Sequence, residues 1–310
     1  MRRIGIIGVG LLGRAVASRL LQGGFQVTGY DTRPEQVKAL RSQGLRPAAS
    51  IAEAAAGADA VFTLLPSIES ADAVVRGPGG LVETAPREAT LIQMSTISPD
   101  LTRRLGEAAA AKGLGFLDAP MSGTSAMVAR GDCTILVGGD PACVERCRPI
   151  FAAIAPRTIY VGAVGMASLA KLVTNLLVAL NTAALAEALV LGAKGGLDPA
   201  KTLEALAGTA ASSRMMEIRG PLMLAGEFPP QMKLDLFLKD LRLMLEEGQR
   251  LGVPLPLTST AQQLYTAAAA AGAGSQDLAV VITTLERLAG LTPHPPLSPR
   301  GGEDNREGAH

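Results

Sequence analysis

From Arg3 to about Gly162, short runs of β-branched or apolar residues alternate with Ala-rich stretches of helical period. This alternation predicts an α/β, Rossmann-like doubly wound parallel sheet, with strands at Ile4–Ile7, Gln26–Tyr30, Ala60–Leu65, Ala89–Met94, Gly115–Asp118, Cys133–Val137 and Thr158–Val161. Helix starts are punctuated by Pro34 after Thr32-Arg33, by Ser98-Pro99-Asp100 and by Asp140-Pro141, devices that cap a first turn or open it with proline. Beyond Gly165 the pattern is helical only, with breaks read at Gly195-Gly196, Gly208, Gly220-Pro221, Pro229-Pro230 and Pro254/Pro256. The expected organisation is residues 1–163 as the sheet domain, 164–290 as a second all-α C-terminal domain, and 291–310 as a disordered, Pro- and Gly-rich tail.

Two stretches imitate membrane signals. Leu172–Val190 is long and uncharged up to Glu187, which meets the length test for a bilayer span. Lys171, Thr174, Asn175, Asn181 and Thr182 nevertheless share one face, which describes a helix buried in protein with one wet stripe, so no membrane partner is expected. The N-terminus, with Met1-Arg2-Arg3, an apolar run and Ala15-Val16-Ala17, resembles a secretory signal. Gly8, Gly10 and Gly13 in GxGxxG register, followed by a β-rich segment ending at Asp31, supply the other explanation.

Composition removes several function classes. The net charge is +1 and aromatics make up 3% of the chain, so there is no basic stripe and no set of stacking platforms for nucleic acid. Cys133, Cys143 and Cys147 lack CxxC spacing and read as reduced core thiols, with no metal site. The only histidines, His294 and His310, lie in the tail, which leaves proton transfer to a lysine or a carboxylate. A cytoplasmic location is expected.

Chemistry concentrates at strand ends. The turn Gly8-Val9-Gly10-Leu11-Leu12-Gly13 between a strand and a helix lets backbone approach a pyrophosphate at a helix N-terminus. Asp31 then has the place of a carboxylate that accepts ribose hydroxyls and repels a 2′-phosphate, which favours NAD; Arg33, beside Thr32, is either a holder of that phosphate in NADP or a solvated charge. Leu64-Leu65-Pro66 and Ser95-Thr96 end further strands at the edge where cofactors bind, and read equally as helix entries and caps. Asp118-Ala119-Pro120-Met121-Ser122-Gly123-Thr124-Ser125 is either an ordinary turn or one whose N–H and hydroxyl groups grip a carboxylate. Lys171 lies one helical turn before Asn175; in isolation it reads as a snorkelling lysine.

These motifs carry a family resemblance. In the same order as in the β-hydroxyacid dehydrogenases, the group that includes 3-hydroxyisobutyrate dehydrogenase and tartronate semialdehyde reductase, the chain shows Gly8–Gly13, Asp118–Gly123, Gly165 through Lys171 to Asn175, and Lys239-Asp240-Leu241. The resemblance covers residues 2 to 290 and implies a nicotinamide-dependent oxidoreductase, NAD preferred and NADP possible, acting on a small hydroxy acid or semialdehyde. It implies a Rossmann-like NAD(P)-binding domain and a helical domain that completes the site and often builds dimers or tetramers on the long helix. By position, Lys171 resembles the catalytic lysine and Asn175 the substrate-orienting asparagine. Lys239 resembles the lysine near nicotinamide and substrate, Ser122, Gly123 and Thr124 the carboxylate turn, and Thr96, Leu64, Leu65 and Pro66 cofactor contacts. A hydride transfer to or from carbon needs a proton transfer at oxygen, which gives Lys171 its role; Leu and Ala neighbours and the second cation Lys239 are expected to make it a better base.

Departures from the family pattern bear on substrate rather than reaction. Thr174 replaces a common asparagine, Thr124 and Met127 replace glycines, and Met232 stands where a phenylalanine is expected. With no arginine at matched positions, a three- or four-carbon hydroxy acid is expected. The other readings are imine reduction on this scaffold, which would replace the lysine, and a dinucleotide-binding regulator without turnover.

Overall fold

The computed structural model describes residues 1–292; residues 293–310, and with them most of the expected disordered tail including His294 and His310, lie outside the described residues. Two compact units divide the chain, one of Met1–Leu176 with Arg242–Pro254, the other of Leu177–Leu241 with the residues from Leu255 onward.

In the first unit the apolar runs become strands β1 (Arg3–Ile7), β2 (Gln26–Tyr30), β3 (Arg46–Pro47), β4 (Ala60–Thr63), β5 (Thr90–Gln93), β6 (Gly115–Asp118), β7 (Met121–Ser122), β8 (Thr134–Gly139) and β9 (Arg157–Gly162). Their order is β3-β2-β1-β4-β5-β6-β8-β7, with β9 paired to β8. From β3 to β6 neighbouring strands are parallel, whereas β8 runs antiparallel to β6 and pairs parallel with β9. The reversal of strand order at β1 and β4 is the switch point at which such sheets open a crevice.

Helices α1 (Leu11–Gln22), α2 (Pro34–Lys38), α3 (Ile51–Ala55), α4 (Ile68–Arg76), α5 (Leu81–Thr84), α6 (Pro99–Ala110), α7 (Ser125–Arg130) and α8 (Pro141–Ile154) fill the connections. Adjacent strand residues point to opposite faces, and both faces are covered, as a parallel sheet requires. Ile6, Phe62, Ile92 and Leu117 pack with Val16 and Leu20 of α1 and Phe151 of α8. Ile7, Val61, Leu91 and Phe116 pack on the other side with Leu81, Leu101 and Leu105. The predicted caps form: the Leu101 amide donates to Ser98 Oγ at 3.2 Å and the Cys143 amide to Asp140 Oδ1 at 2.9 Å. All three cysteines are buried free thiols.

The long α9 (Met166–Lys194) leads from the first unit into the second, which also holds α10 (Pro199–Leu206), α11 (Arg214–Ala225), the start of α12 (Leu234–Leu251), α13 (Pro256–Ala268) and α14 (Val281–Leu288). By length and composition α9 could cross a bilayer, yet Lys171, Asn175 and Thr182 on it are buried in protein. Its stripe is drier than expected, because the Thr174 and Thr182 hydroxyls donate back to the Ala170 and Val178 carbonyls at 2.8 and 2.7 Å. Gly220-Pro221, expected as a break, lies inside α11; Gly220 packs so closely on Leu203 of α10 that a Cβ would come within 2.7 Å of it. The second unit is centred on fully buried Tyr265, whose hydroxyl donates to the Ala179 carbonyl at 2.9 Å and whose ring meets Phe237 edge-on at 6.1 Å. Beside it, buried Arg219 donates from Nε to Asp277 at 3.0 Å, and Asp277 also accepts from the Gln231 and Met232 amides at 3.2 and 2.9 Å.

Candidate active site

Register across the sheet sets out the site. Tyr30, Ile7, Thr63, Gln93 and Asp118 form one row along the carboxyl ends of β2, β1, β4, β5 and β6. The residues that follow each of them, Asp31, Gly8, Leu64, Met94 and Ala119, begin the loops above that edge.

At the β1 end the turn is built by clearance. Gly8 has φ +93°, which favours glycine, and a Cβ on it would lie 2.3 Å from the Leu64 carbonyl oxygen. A Cβ on Gly13 would stand 2.0 Å from the Gly8 carbonyl oxygen, so this glycine lets α1 close onto the strand. Gly10 differs: a Cβ there would meet only the Arg33 guanidinium, at 3.9 Å. The turn is thus tight on its protein side and open at Gly10, and no side chain caps α1, whose first turn carries Leu11 and Leu12. Such a cradle fits a dinucleotide pyrophosphate, held by amides at a helix N-terminus.

Asp31 braces the same turn. The Val9 amide donates to its Oδ2 at 2.8 Å and the Arg33 amide to its Oδ1 at 2.9 Å, while Arg33 Nε lies 3.6 Å from Oδ1. Part of its hydrogen-bonding capacity is therefore taken up by backbone, and the exposed Arg33 pairs with it directly. The Leu64-Leu65-Pro66 segment is fixed by the Leu64 amide donating to the Ile7 carbonyl at 2.9 Å and the Leu65 amide donating to Ser95 Oγ at 2.8 Å. Ser95 is itself bracketed by buried Gln93, which accepts from its amide and donates to its carbonyl, both at 2.7 Å. Half-buried Thr96 follows at the same edge.

At the β6 end, Met121–Ser122 forms a short strand antiparallel to β8 rather than a simple turn. Gly123, at φ +148°, lies so close to Cys133 that a Cβ would come within 2.9 Å of its Cβ. Thr124 caps α7, its hydroxyl accepting from the Met127 amide at 3.3 Å. Lys171 and Asn175, one turn apart on α9, are 8% and 3% exposed, an unusual depth for a lysine. Lys239 lies on α12 with its ammonium 2.8 Å from the Asp240 carboxylate.

Sequence reasoning passed over Gln93, Thr102 and Ser168, and it carried Asp118 only as a letter of the turn motif, without the anchoring role the structure gives it. Asp118 is fully buried and accepts from the Ser168 amide at 2.7 Å, the Ser168 hydroxyl at 2.8 Å and the Gly165 amide at 3.1 Å. Burial pushes its carboxyl up to about 6 despite these donors. A polar residue closing an otherwise apolar strand, as in Leu91-Ile92-Gln93 and Phe116-Leu117-Asp118, was the available signal.

Residues 3–162 match the family model described as the NAD binding domain of 6-phosphogluconate dehydrogenase, and residues 165–285 the model described as NAD-binding of NADP-dependent 3-hydroxyisobutyrate dehydrogenase. The chain belongs to the β-hydroxyacid dehydrogenase family. Among its relatives, 2-(hydroxymethyl)glutarate dehydrogenase of Eubacterium barkeri is 35% identical over 94% of this chain and 97% of its own length. The 2-hydroxy-3-oxopropionate reductase of Escherichia coli is 33% identical over 93% of this chain and 98% of its own length. The crystal structure of 3-hydroxyisobutyrate dehydrogenase from Salmonella typhimurium superposes with TM-score 0.84 at 30% identity, covering 91% of this chain and 99% of that one. This β-hydroxyacid dehydrogenase is an NAD(P)-dependent oxidoreductase of the hydroxyacid dehydrogenase and semialdehyde reductase class, with the Rossmann-type sheet and C-terminal helical region of that family.

Proposed function

We propose that the enzyme interconverts a three- or four-carbon 3-hydroxy acid and its semialdehyde, with Lys171 as general acid and base. The observation that carries this reading is the pair Lys171 and Asn175, buried one turn apart on α9 in a chain whose sheet edge also bears the dinucleotide turn. Residues 1–163 take the dinucleotide-binding part and residues 164–290 the substrate and subunit-contact part.

Gly8 to Gly13 would hold the pyrophosphate, Asp31 to Arg33 the adenosine ribose, and Leu64, Leu65, Pro66 and Thr96 the path along the edge. When bound there, nicotinamide supplies or accepts the hydride. In reduction the Lys171 ammonium donates a proton to the carbonyl oxygen; in oxidation the neutral amine takes it from the alcohol. Asn175 fixes the orientation of that oxygen through its amide. Ser122, Gly123 and Thr124 bind the substrate carboxylate, Thr124 by donating the hydroxyl hydrogen that its capping role leaves available. Lys239, its charge balanced by Asp240, serves substrate and nicotinamide. Asp31 supports a preference for NAD over NADP. A homo-oligomer is supported by an exposed apolar stripe on α9, in which Val173, Leu177 and Leu191 are each more than half exposed.

The test is NADH and NADPH oxidation with methylmalonate, tartronate and succinate semialdehydes, for the native enzyme and Lys171→Ala. Turnover should fall by at least about a thousandfold while NADH still binds. Near-native turnover in Lys171→Ala would remove the lysine from the chemistry.

A further inference from the structure

The proton donor proposed above is only as well placed as the helix that carries it. Lys171 lies three residues beyond Ser168, one turn along α9, so the height and rotation of that turn set where its side chain starts. What fixes the first turn of that helix is remote in sequence. Both oxygens of Asp118 are engaged: Oδ2 accepts from the Gly165 and Ser168 amides at 3.1 and 2.7 Å, and Oδ1 from the Ser168 hydroxyl at 2.8 Å. Ser168 Oγ also lies 2.8 Å from Thr102 Oγ1 of α6, and the Thr102 hydroxyl has the Ser98 carbonyl at 3.0 Å. Ser168 has one hydrogen, and the carboxylate is its strongest acceptor, so the Thr102 hydrogen is shared between Ser168 and Ser98. Asp118, Thr102 and Ser168 are all buried, so water does not replace these bonds. Gly165, at φ +93°, turns the chain so tightly into the helix that a Cβ would lie 3.1 Å from the Pro99 carbonyl oxygen.

We propose that Asp118 and Ser168 are positioning residues for Lys171: the carboxylate at the end of β6 sets the height and rotation of α9 through Ser168 and the first-turn amides. The inference rests on the reading of Lys171 as proton donor. Its second consequence concerns the acid-binding turn. Past Asp118 the same strand end runs through Ala119 and Pro120 into Met121–Ser122 and then Gly123 and Thr124. Carboxylate turn and lysine therefore hang from one fixed point, and a substrate gripped by the first meets the second at a set distance. A misplacement of about 1 Å in such an arrangement costs on the order of a hundredfold in rate.

The experiment compares Ser168→Ala, Ser168→Thr, Thr102→Val and Lys171→Ala, using the semialdehyde turned over fastest by the native enzyme. Ser168→Ala should lower kcat about ten- to a hundredfold with KM and NADH Kd within about twofold of native, and Ser168→Thr, which keeps the hydroxyl, should recover most of it. Thr102→Val should lower kcat about threefold, and it carries the test if Ser168→Ala does not fold. Native kcat in Ser168→Ala, or equal losses in kcat and NADH affinity that Ser168→Thr does not restore, would overturn the positioning role. If Lys171→Ala is inactive while Ser168→Ala is unimpaired, only the anchor fails; if Lys171→Ala is itself active, the catalytic reading fails and the anchor with it.

Discussion

The turn after β1 and the end of β6 occupy one edge of one sheet, and they are held in opposite ways. Around Gly8 and Gly13 the geometry comes from what is missing, since a Cβ at either would fall within 2.3 Å of a carbonyl oxygen. Around Asp118 it comes from what is present, a buried carboxylate that reaches partners 47 and 50 residues further along the chain. Steric necessity sets the approach of strand, turn and helix at the first site without any buried charge at the glycines themselves. The second pays for its rigidity by burying a carboxylate, which burial pushes up to about 6. Packing failures should therefore break the first site, and protonation should act on the second.

The largest effect is expected from Gly13→Ala. Its methyl would have to displace the Gly8 carbonyl from 2.0 Å, so α1 and β1 must separate. A loss of about 3 kcal/mol in stability, seen in urea unfolding, and loss of NADH binding are expected together. Gly10→Ala makes the contrast within the same turn, because its methyl meets only Arg33, at 3.9 Å. Stability should change by less than about 1 kcal/mol while NADH affinity falls at least about tenfold, the methyl taking space meant for phosphate. Equal stability losses in the two variants would show that protein clearance and ligand space are not separated in this turn.

At Asp118 the effect is smaller and depends on pH. The folded protein holds a proton there more tightly than the unfolded chain, whose ordinary value is 3.8, because burial raises the folded value to about 6. Sign follows: the proton's contribution to stability is complete below about 4 and is lost as pH rises through about 6. Relative to Asp118→Asn, which does not titrate, native stability should fall by about 2–3 kcal/mol between pH 4 and pH 6.5 and then level off. A difference that is flat or rises over this range would mean that the hydrogen-bond donors around the carboxylate outweigh burial.

How much was legible in the sequence follows the same division. Strands with their partners on both sides, such as Ala60–Thr63 and Thr90–Gln93, announce themselves as apolar runs because both faces are buried. The glycine turn and the Ser98 and Asp140 caps are local devices with local signatures. The two-residue strands Arg46–Pro47 and Met121–Ser122 have no signature, since only a neighbouring strand makes them strands. Pro221 was misleading because tertiary packing at Gly220 overrode a local breaker. Candidate residues Gly8 to Gly13, Asp31, Leu64 and Asp118 were all visible as motif letters. The bonds from Asp118 to Ser168, and from Asp31 back to Val9, were not, because a motif records neighbours along the chain and these contacts cross it.

Asp31 joins both kinds of construction, and the smallest predicted effect lies there. It is a charged side chain like Asp118, but its partners include the Val9 amide of the steric turn, at 2.8 Å, and the Arg33 amide two residues on, at 2.9 Å. Two roles are thereby superposed, bracing the turn and accepting a ribose hydroxyl, and two substitutions separate them. Asp31→Asn keeps one oxygen for Val9 and removes the charge that repels a 2′-phosphate and pairs with Arg33. The ratio of NADPH to NADH affinity should rise about three- to tenfold, chiefly through tighter NADPH binding. Asp31→Ala also removes the brace, so both cofactors should weaken, NADH the more. If Asp31→Asn and Asp31→Ala weaken NADH and NADPH by the same factor, the carboxylate serves the turn alone, and the preference for NAD has to be sought in Arg33 and the open side of Gly10.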